Sequence, residues 1–296
     1  MTSEEKKARR GPSKSRGETK PGTANPVDVL AAGYQLFLTT ISSKHDWLLL
    51  VPAAGSPKRH LYNFDIEFAS QNPTDTEPSP WGPLLLFEAC VTEHESERVL
   101  LNERVNFVPP DYKLGAIRYL KAKLPKNFDR ALRSLGRVHN SNFTDTPEGE
   151  AELARCLSGC QSMPEITDLL AAVAREVHEM NGAMAVYGYS PEIQVLKHLH
   201  VQLGARAFPR IEVLNSLVIL ETIKSLGYHQ SPNTDDPSTK VPTGLADAYS
   251  AVFDSQLQDS HTALGDCLGM SRVLKAIQQC VEQCSASSSE SDGDDQ

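Results

Sequence analysis

The sequence predicts an α/β domain, a mixed five-stranded sheet flanked by helices, with a disordered tail at each end. Three strand-like runs (64–68, 84–91 and 99–108) follow one another with turn signals between them, which reads as an antiparallel meander. Beyond residue 160 the pattern changes to helix, strand, helix and a further apolar run, so the sheet is mixed rather than purely antiparallel. A chain of 296 residues, 40% hydrophobic, is long enough for one large domain or two small ones with a sizeable core.

The tails are read from composition. Residues 1–25 hold Lys6, Lys7, Arg9, Arg10, Lys14, Arg16 and Lys20 among Ser, Gly, Pro and Thr, a disordered basic segment. It suits a nuclear-import signal or a nonspecific nucleic-acid arm equally with a plain solvated extension. Residues 285–296 are Ser-rich and acidic and read as a second disordered tail, open to phosphorylation. Between them lies the domain, 26–284. No run of eighteen apolar residues and no signal peptide is visible, so the expectation is an intracellular protein, nuclear or cytoplasmic, with no membrane partner. Its protein partners cannot be named from sequence. Six cysteines do not make a disulfide framework. Cys156/Cys160 and Cys280/Cys284 are each one helical turn apart; they suit reduced helix cysteines better than a shared zinc site.

Asn25-Pro26 has the residue types of a helix start, followed by Leu30, Tyr34, Phe37, Leu38 and Ile41 at helical spacing. Trp47 to Val51 is a short apolar run. Phe64-Asp65-Ile66-Glu67-Phe68 comes next, and strand alternation puts Asp65 and Glu67 on one face and the three apolar side chains on the other. Two acids on one face of a strand repel. Either they form an exposed acidic edge or a divalent metal ion compensates them. The stretch 71–80, with three prolines, is a loop, and 84–91 is a buried strand.

Composition then changes. Between Lys113 and Arg137 lie eight basic residues against one acid, Asp129, in a protein of net charge −9. This basic insertion, about 110–160, is either a solvated helix face or a phosphate-binding surface, and the scarcity of acids favours the second. Arg118, Lys121, Lys123, Arg130 and Arg133 are its candidate phosphate contacts. Residues 150–157 form a short helix. Ser162-Met163-Pro164-Glu165 has capping-box spacing, and Ile166, Leu169, Leu170, Val173, Val177 and Met180 trace one face of the helix behind it. Ala183 to Tyr187 is a strand, Ser190-Pro191-Glu192 starts another helix, and 211–220 is a further apolar run. After a polar, Pro-rich loop (231–242), helices follow at 245–253 and from about His261 to Cys284.

The last helix opens His261-Thr262-Ala263-Leu264-Gly265-Asp266. Five helical residues turn about 500°, so His261 and Asp266 share a face only if His261 lies in the turn before the helix, with Ser260 or Asp259 as cap. With Asp65-Ile66-Glu67 upstream and His261-x-Ala263-x-x-Asp266 downstream, in that order, the chain resembles the DEDDh family of 3′–5′ exonucleases over roughly residues 58–284. That resemblance implies a ribonuclease H-like fold. It implies Asp65, Glu67 and Asp266 as ligands of two Mg²⁺ or Mn²⁺ ions, His261 as general base, and RNA or single-stranded DNA as substrate and partner. The middle motif departs from the family, with Glu192 where the family has Asp and its usual Asn replaced near Gly188. Glu192 is either a fourth metal ligand or only a favourable charge at a helix N-terminus.

The residue types fit that chemistry. Hard divalent ions take carboxylate oxygens, and paired ions stabilise both the attacking and the leaving oxygen of a phosphodiester. Clustered without metal, the acids would raise one another's pKa values. An imidazole, with an ordinary pKa of about 6.5, suits a base near neutrality. Residue spacing alone supports metal-dependent phosphodiester hydrolysis; exonuclease polarity comes from the resemblance. Two rivals remain. One is a nuclease-fold protein with decayed catalysis that acts as a nucleic-acid-binding module. The other is a protein-binding scaffold using its tails.

Overall fold

The computed structural model describes residues 60–70, 84–187, 191–215 and 244–289. The basic tail, the 26–41 helix, the 47–51 run and the loops 71–80 and 231–242 lie outside them. The elements are β1 (Leu61–Ser70), β2 (Leu84–Glu93), β3 (Val99–Asn106), α1 (Ala116–Lys123), α2 (Phe128–His139), α3 (Pro147–Leu157), β4 (Gln161–Ser162), α4 (Met163–Glu179), β5 (Ala183–Val186), α5 (Pro191–Leu203), β6 (Glu212–Asn215), α6 (Leu245–Phe253) and α7 (Ala263–Ser289).

The sheet is mixed, in the order β4-β3-β2-β1-β5-β6. Strands β1, β2 and β3 form the expected antiparallel meander, whereas β5 and β6 run parallel to β1. The sheet has six strands rather than five. The sixth is two residues long and pairs with the end of β3 through Val105↔Gln161 and Asn106↔Ser162. Two residues have no periodicity to read, and in the sequence they look like the approach to the next helix.

Both faces of the sheet are covered, which is why β2 reads as a run that is apolar from Leu84 to Val91 apart from Glu88. On one face Phe64, Ile66, Leu86 and Val91 pack against Ile166, Leu170 and Val177 of α4 and Val195 and Leu199 of α5. The predicted capping box starts α4: Ser162 Oγ accepts from the Glu165 N–H, and the Glu165 carboxylate accepts from the Ser162 N–H. On the other face two covers meet. Ala69, Leu85, Phe87 and Phe107 lie under α1, α2 and α3, so the basic insertion is a helical layer with its own apolar core. Beside it, Cys90 packs against Ala263 and Cys267 of α7.

Two of the three inserted helices, α1 and α3, are tied together by one side chain. Gly115 cannot cap α1, and Glu150 of α3 accepts from the Ala116 and Ile117 N–H groups instead. At the far end of the chain α7 continues past Cys284 to Ser289, into the stretch expected to be disordered. Ser and Ala do not stop a helix, and no Gly or Pro occurs before Gly293.

Candidate metal centre

The register of β1 against β2 builds the site. Asp65 faces Cys90 and Glu67 faces Glu88, so the carboxylate face of β1 continues into β2. Between Glu67 and Phe68 the register shifts, because Phe87 is an extra residue on β2. A bulge of this kind turns two successive side chains to one side of the sheet. Phe87 therefore enters the core under α1–α3, and Glu88 stays on the carboxylate face next to it. The acids occupy the seam between that helical layer and the start of α7.

Asp266 comes from the first turn of α7. As the 500° argument requires, the helix begins after His261, at Ala263. The cap is Thr262, not Ser260 or Asp259: its Oγ1 accepts from the Gly265 N–H at 3.1 Å. Asp259 instead supplies its carbonyl, which accepts from the Thr262 N–H and hydroxyl. That carbonyl lies so close to Gly265 that any Cβ there would collide with it, which accounts for glycine inside the motif. His261 is exposed with φ 68°, and its backbone N–H donates to Asp266 Oδ1 at 3.3 Å.

Asp65, Glu67 and Asp266 each present a carboxylate oxygen, and all three oxygens lie within 4.8 Å of one another. Among the described residues this is the one such cluster of His, Cys, Asp or Glu. Burial and mutual repulsion act together on it. Burial is the main reason that the Asp65 carboxyl is held well above the usual range, with Asp266, Glu192 and Glu67 adding to it in that order. Glu67 is pushed up to about 8 by burial and by Asp266 and Glu88, against the hydrogen bond from Ser134 and the charge of Arg137. Asp266 is raised by burial and eased by the His261 N–H and imidazole. Asp65 Oδ2 is buried without a hydrogen-bond partner. An orphaned buried carboxylate oxygen beside two further carboxylates is a donor set that could hold a hard divalent cation. The residues fit Mg²⁺ or Mn²⁺.

Glu192 sits in the first turn of α5, 4% exposed, where its charge reaches Asp65; it falls outside the 4.8 Å group. The cysteine zinc site has no support among the described residues: Cys156 and Cys160 are free, and the Cys160 thiol donates to the Cys156 carbonyl at 3.2 Å. The side chains of Cys280 and Cys284 lie outside the described residues.

Of the five proposed phosphate contacts, Lys121 and Arg133 line one groove beside α2. Arg118, Arg130 and Arg133 are exposed. Lys121 is paired with Asp145 and lies over the Phe128 ring, and Lys123 lies over the Tyr119 ring. The basic side chain whose charge acts on Glu67 is Arg137, which belongs to the same stripe but not to those five.

Sequence reasoning also passed over Glu88. It is 4% exposed, and its Oε2 accepts from the Ala263 N–H at 2.8 Å, pinning the start of α7 to β2. Burial raises its pKa, while the Ala263 N–H and Arg104 lower it. A lone acid in the run Leu84 to Val91 was its only signal. Comparison with known proteins adds no further assignment, since no protein-family model and no curated protein matches this chain.

Proposed function

We propose that this chain is a metal-dependent 3′–5′ exonuclease of the DEDDh type with a ribonuclease H-like domain, acting on RNA or single-stranded DNA. The observation that carries this reading is the convergence of Asp65, Glu67 and Asp266, from the central strand and the last helix, onto one 4.8 Å cluster. Bound Mg²⁺ or Mn²⁺ would stabilise the negative charge that develops during phosphodiester hydrolysis. Asp65, Glu67 and Asp266 would hold the ions, and Glu192 extends the acidic surface toward α5. His261 is exposed beside Asp266, free to take the proton of the attacking water. Glu88 is a positioning residue: it fixes the turn of α7 from which Asp266 and His261 project.

The test is digestion of end-labelled single-stranded RNA and DNA oligonucleotides with Mg²⁺ or Mn²⁺, with Asp65→Ala and Glu192→Ala run in parallel. A ladder shortening from the 3′ end and abolished in Asp65→Ala supports the reading and selects the substrate. Loss in Glu192→Ala as well makes Glu192 part of the centre. The altered middle motif and the position of Glu192 outside the cluster favour one rival, a catalytically impaired nucleic-acid-binding module. Salt-sensitive binding without any digestion would establish that rival instead.

A further inference from the structure

A groove of about 1010 Å³ lies between one side of α2 and the segment 140–145 that follows it. Its floor is apolar, made by Phe128, Leu132 and Phe143. Arg133 and Arg137 stand on its α2 wall, four residues and therefore about 6 Å apart along the helix. Asn140 and Asn142 stand on the other side.

Charge pairing separates these arginines from Lys121 and Arg155, though not from Arg118 and Arg130, which are exposed and without a salt bridge among the described residues too. Lys121, at the groove's end, is taken up by Asp145, and Arg155 of α3 by Glu152. Neither Arg133 nor Arg137 has a salt-bridge partner among the described residues, and both are exposed. The wall is also fixed in shape. Asn140 takes a left-handed conformation at φ 50°, and the Ser141 N–H bonds back to the Gly136 carbonyl at 2.8 Å, closing the end of α2. A Cβ at Gly136 would press on the Ser141 carbonyl, so the segment can turn this tightly only over glycine.

One residue joins this groove to the carboxylates. Arg137 lines it, and one turn earlier on the same helix Ser134 donates to Glu67 at 3.3 Å. We infer that the groove is the path of a single-stranded nucleic acid leading to the carboxylate cluster, with Arg133 and Arg137 on successive phosphates. The inference rests on the exonuclease reading for the direction of that path. The floor rings are nearly buried, so recognition falls to the walls, where paired arginines suit the backbone and asparagine amides offer both donors and acceptors to base edges. An open groove of this size, at the top of the roughly 300–1,000 Å³ range of small-molecule pockets, suits a chain better than a compact ligand. Of the five cations picked from sequence, Lys121 and Arg133 line this groove, and Arg137 joins them.

The experiment is fluorescence anisotropy with a labelled oligouridylate and a labelled oligothymidylate in EDTA, so that binding is read without turnover. The full chain is compared with the Arg133→Ala/Arg137→Ala double variant and with Arg155→Ala, which removes an equally exposed arginine from the same layer. The expected result is a loss of affinity of at least about tenfold in the double variant only. The slope of log affinity against log salt should shrink by about 1.4, at about 0.7 per phosphate contact. Single strands should also bind more tightly than a blunt duplex of the same length. The inference is overturned if the double variant binds like Arg155→Ala, if the duplex binds as well as the single strand, or if the wild-type chain binds neither oligonucleotide. Digestion separates the two claims. A wild type that binds through this groove without cutting refutes the exonuclease reading and leaves the groove standing, whereas cutting with an unaffected double variant does the reverse.

Discussion

The two faces of β1 are built for opposite ends. Phe64 and Ile66 point into a continuous apolar layer shared with α4 and α5, and both are almost completely buried. Asp65 and Glu67, one residue away on the same strand, point into a seam where the cover changes from α2 to α7, and their charges work against folding. A strand can carry both because alternation separates them completely. The difference teaches that the acids are held at a cost in stability, which Ser134 and Arg137 beside Glu67 and His261 beside Asp266 offset only in part.

That contrast can be broken residue by residue. On the exonuclease reading, Asp65→Asn should lower hydrolysis by about 10²–10³-fold, the scale of losing a group that stabilises developing charge. The same substitution should leave the melting temperature of the metal-free chain unchanged or higher, since it removes a buried repulsive charge; a clear drop would contradict the picture. Phe64→Ala should do the opposite. It should cost about 3–5 kcal/mol of stability by chemical denaturation, the range for a truncated core phenylalanine.

The pH dependence follows from the same difference. Glu67 has a pKa of about 8 in the folded chain against 4.5 ordinarily, so the folded state binds its proton more tightly. Its contribution to stability is fully present below pH 4.5 and is lost as pH rises through about 8. On the proposed metal centre Mn²⁺ would take the place of that proton, so it should raise the melting temperature more at about pH 8.5 than at about pH 5. Away from the centre the sign reverses. His94 is lowered from 6.5 to about 4 by burial first and Lys275 second. Its contribution is present above pH 6.5 and is lost as pH falls through about 4, so His94→Gln should flatten the acid limb of the stability curve.

The smallest expected effect is at the support. Glu88→Ala strands the Ala263 N–H and should cost about 1–3 kcal/mol, with activity reduced about 10–100-fold. Glu88→Gln keeps an acceptor and should recover most of the stability. If both variants lose stability equally, the bond to α7 is not what Glu88 supplies.

What could be read from sequence was whatever is local. Asp65 and Glu67 declare their shared face by spacing, Ser162 and Glu165 declare a helix start, and Leu245 to Phe253 is found as read. What could not be read depends on register or on distant approach. Glu88 joins the site because a bulge at Phe87 turns both residues to one side, and nothing in an apolar run announces a bulge. Gly265 is needed only because the Asp259 carbonyl folds back onto it. Arg137 differs from its basic neighbours in that its charge acts on Glu67, which helical spacing cannot show without knowing what α2 packs against.

The most direct measurement is isothermal titration of the metal-free full chain with Mn²⁺ at about pH 8, beside Asp65→Asn. Saturable binding of two ions per chain in the wild type, lost or reduced to weak single-ion binding in Asp65→Asn, is the predicted result. No saturable Mn²⁺ binding by the wild type, or binding that Asp65→Asn leaves unchanged, would contradict the claim that these carboxylates form a metal centre.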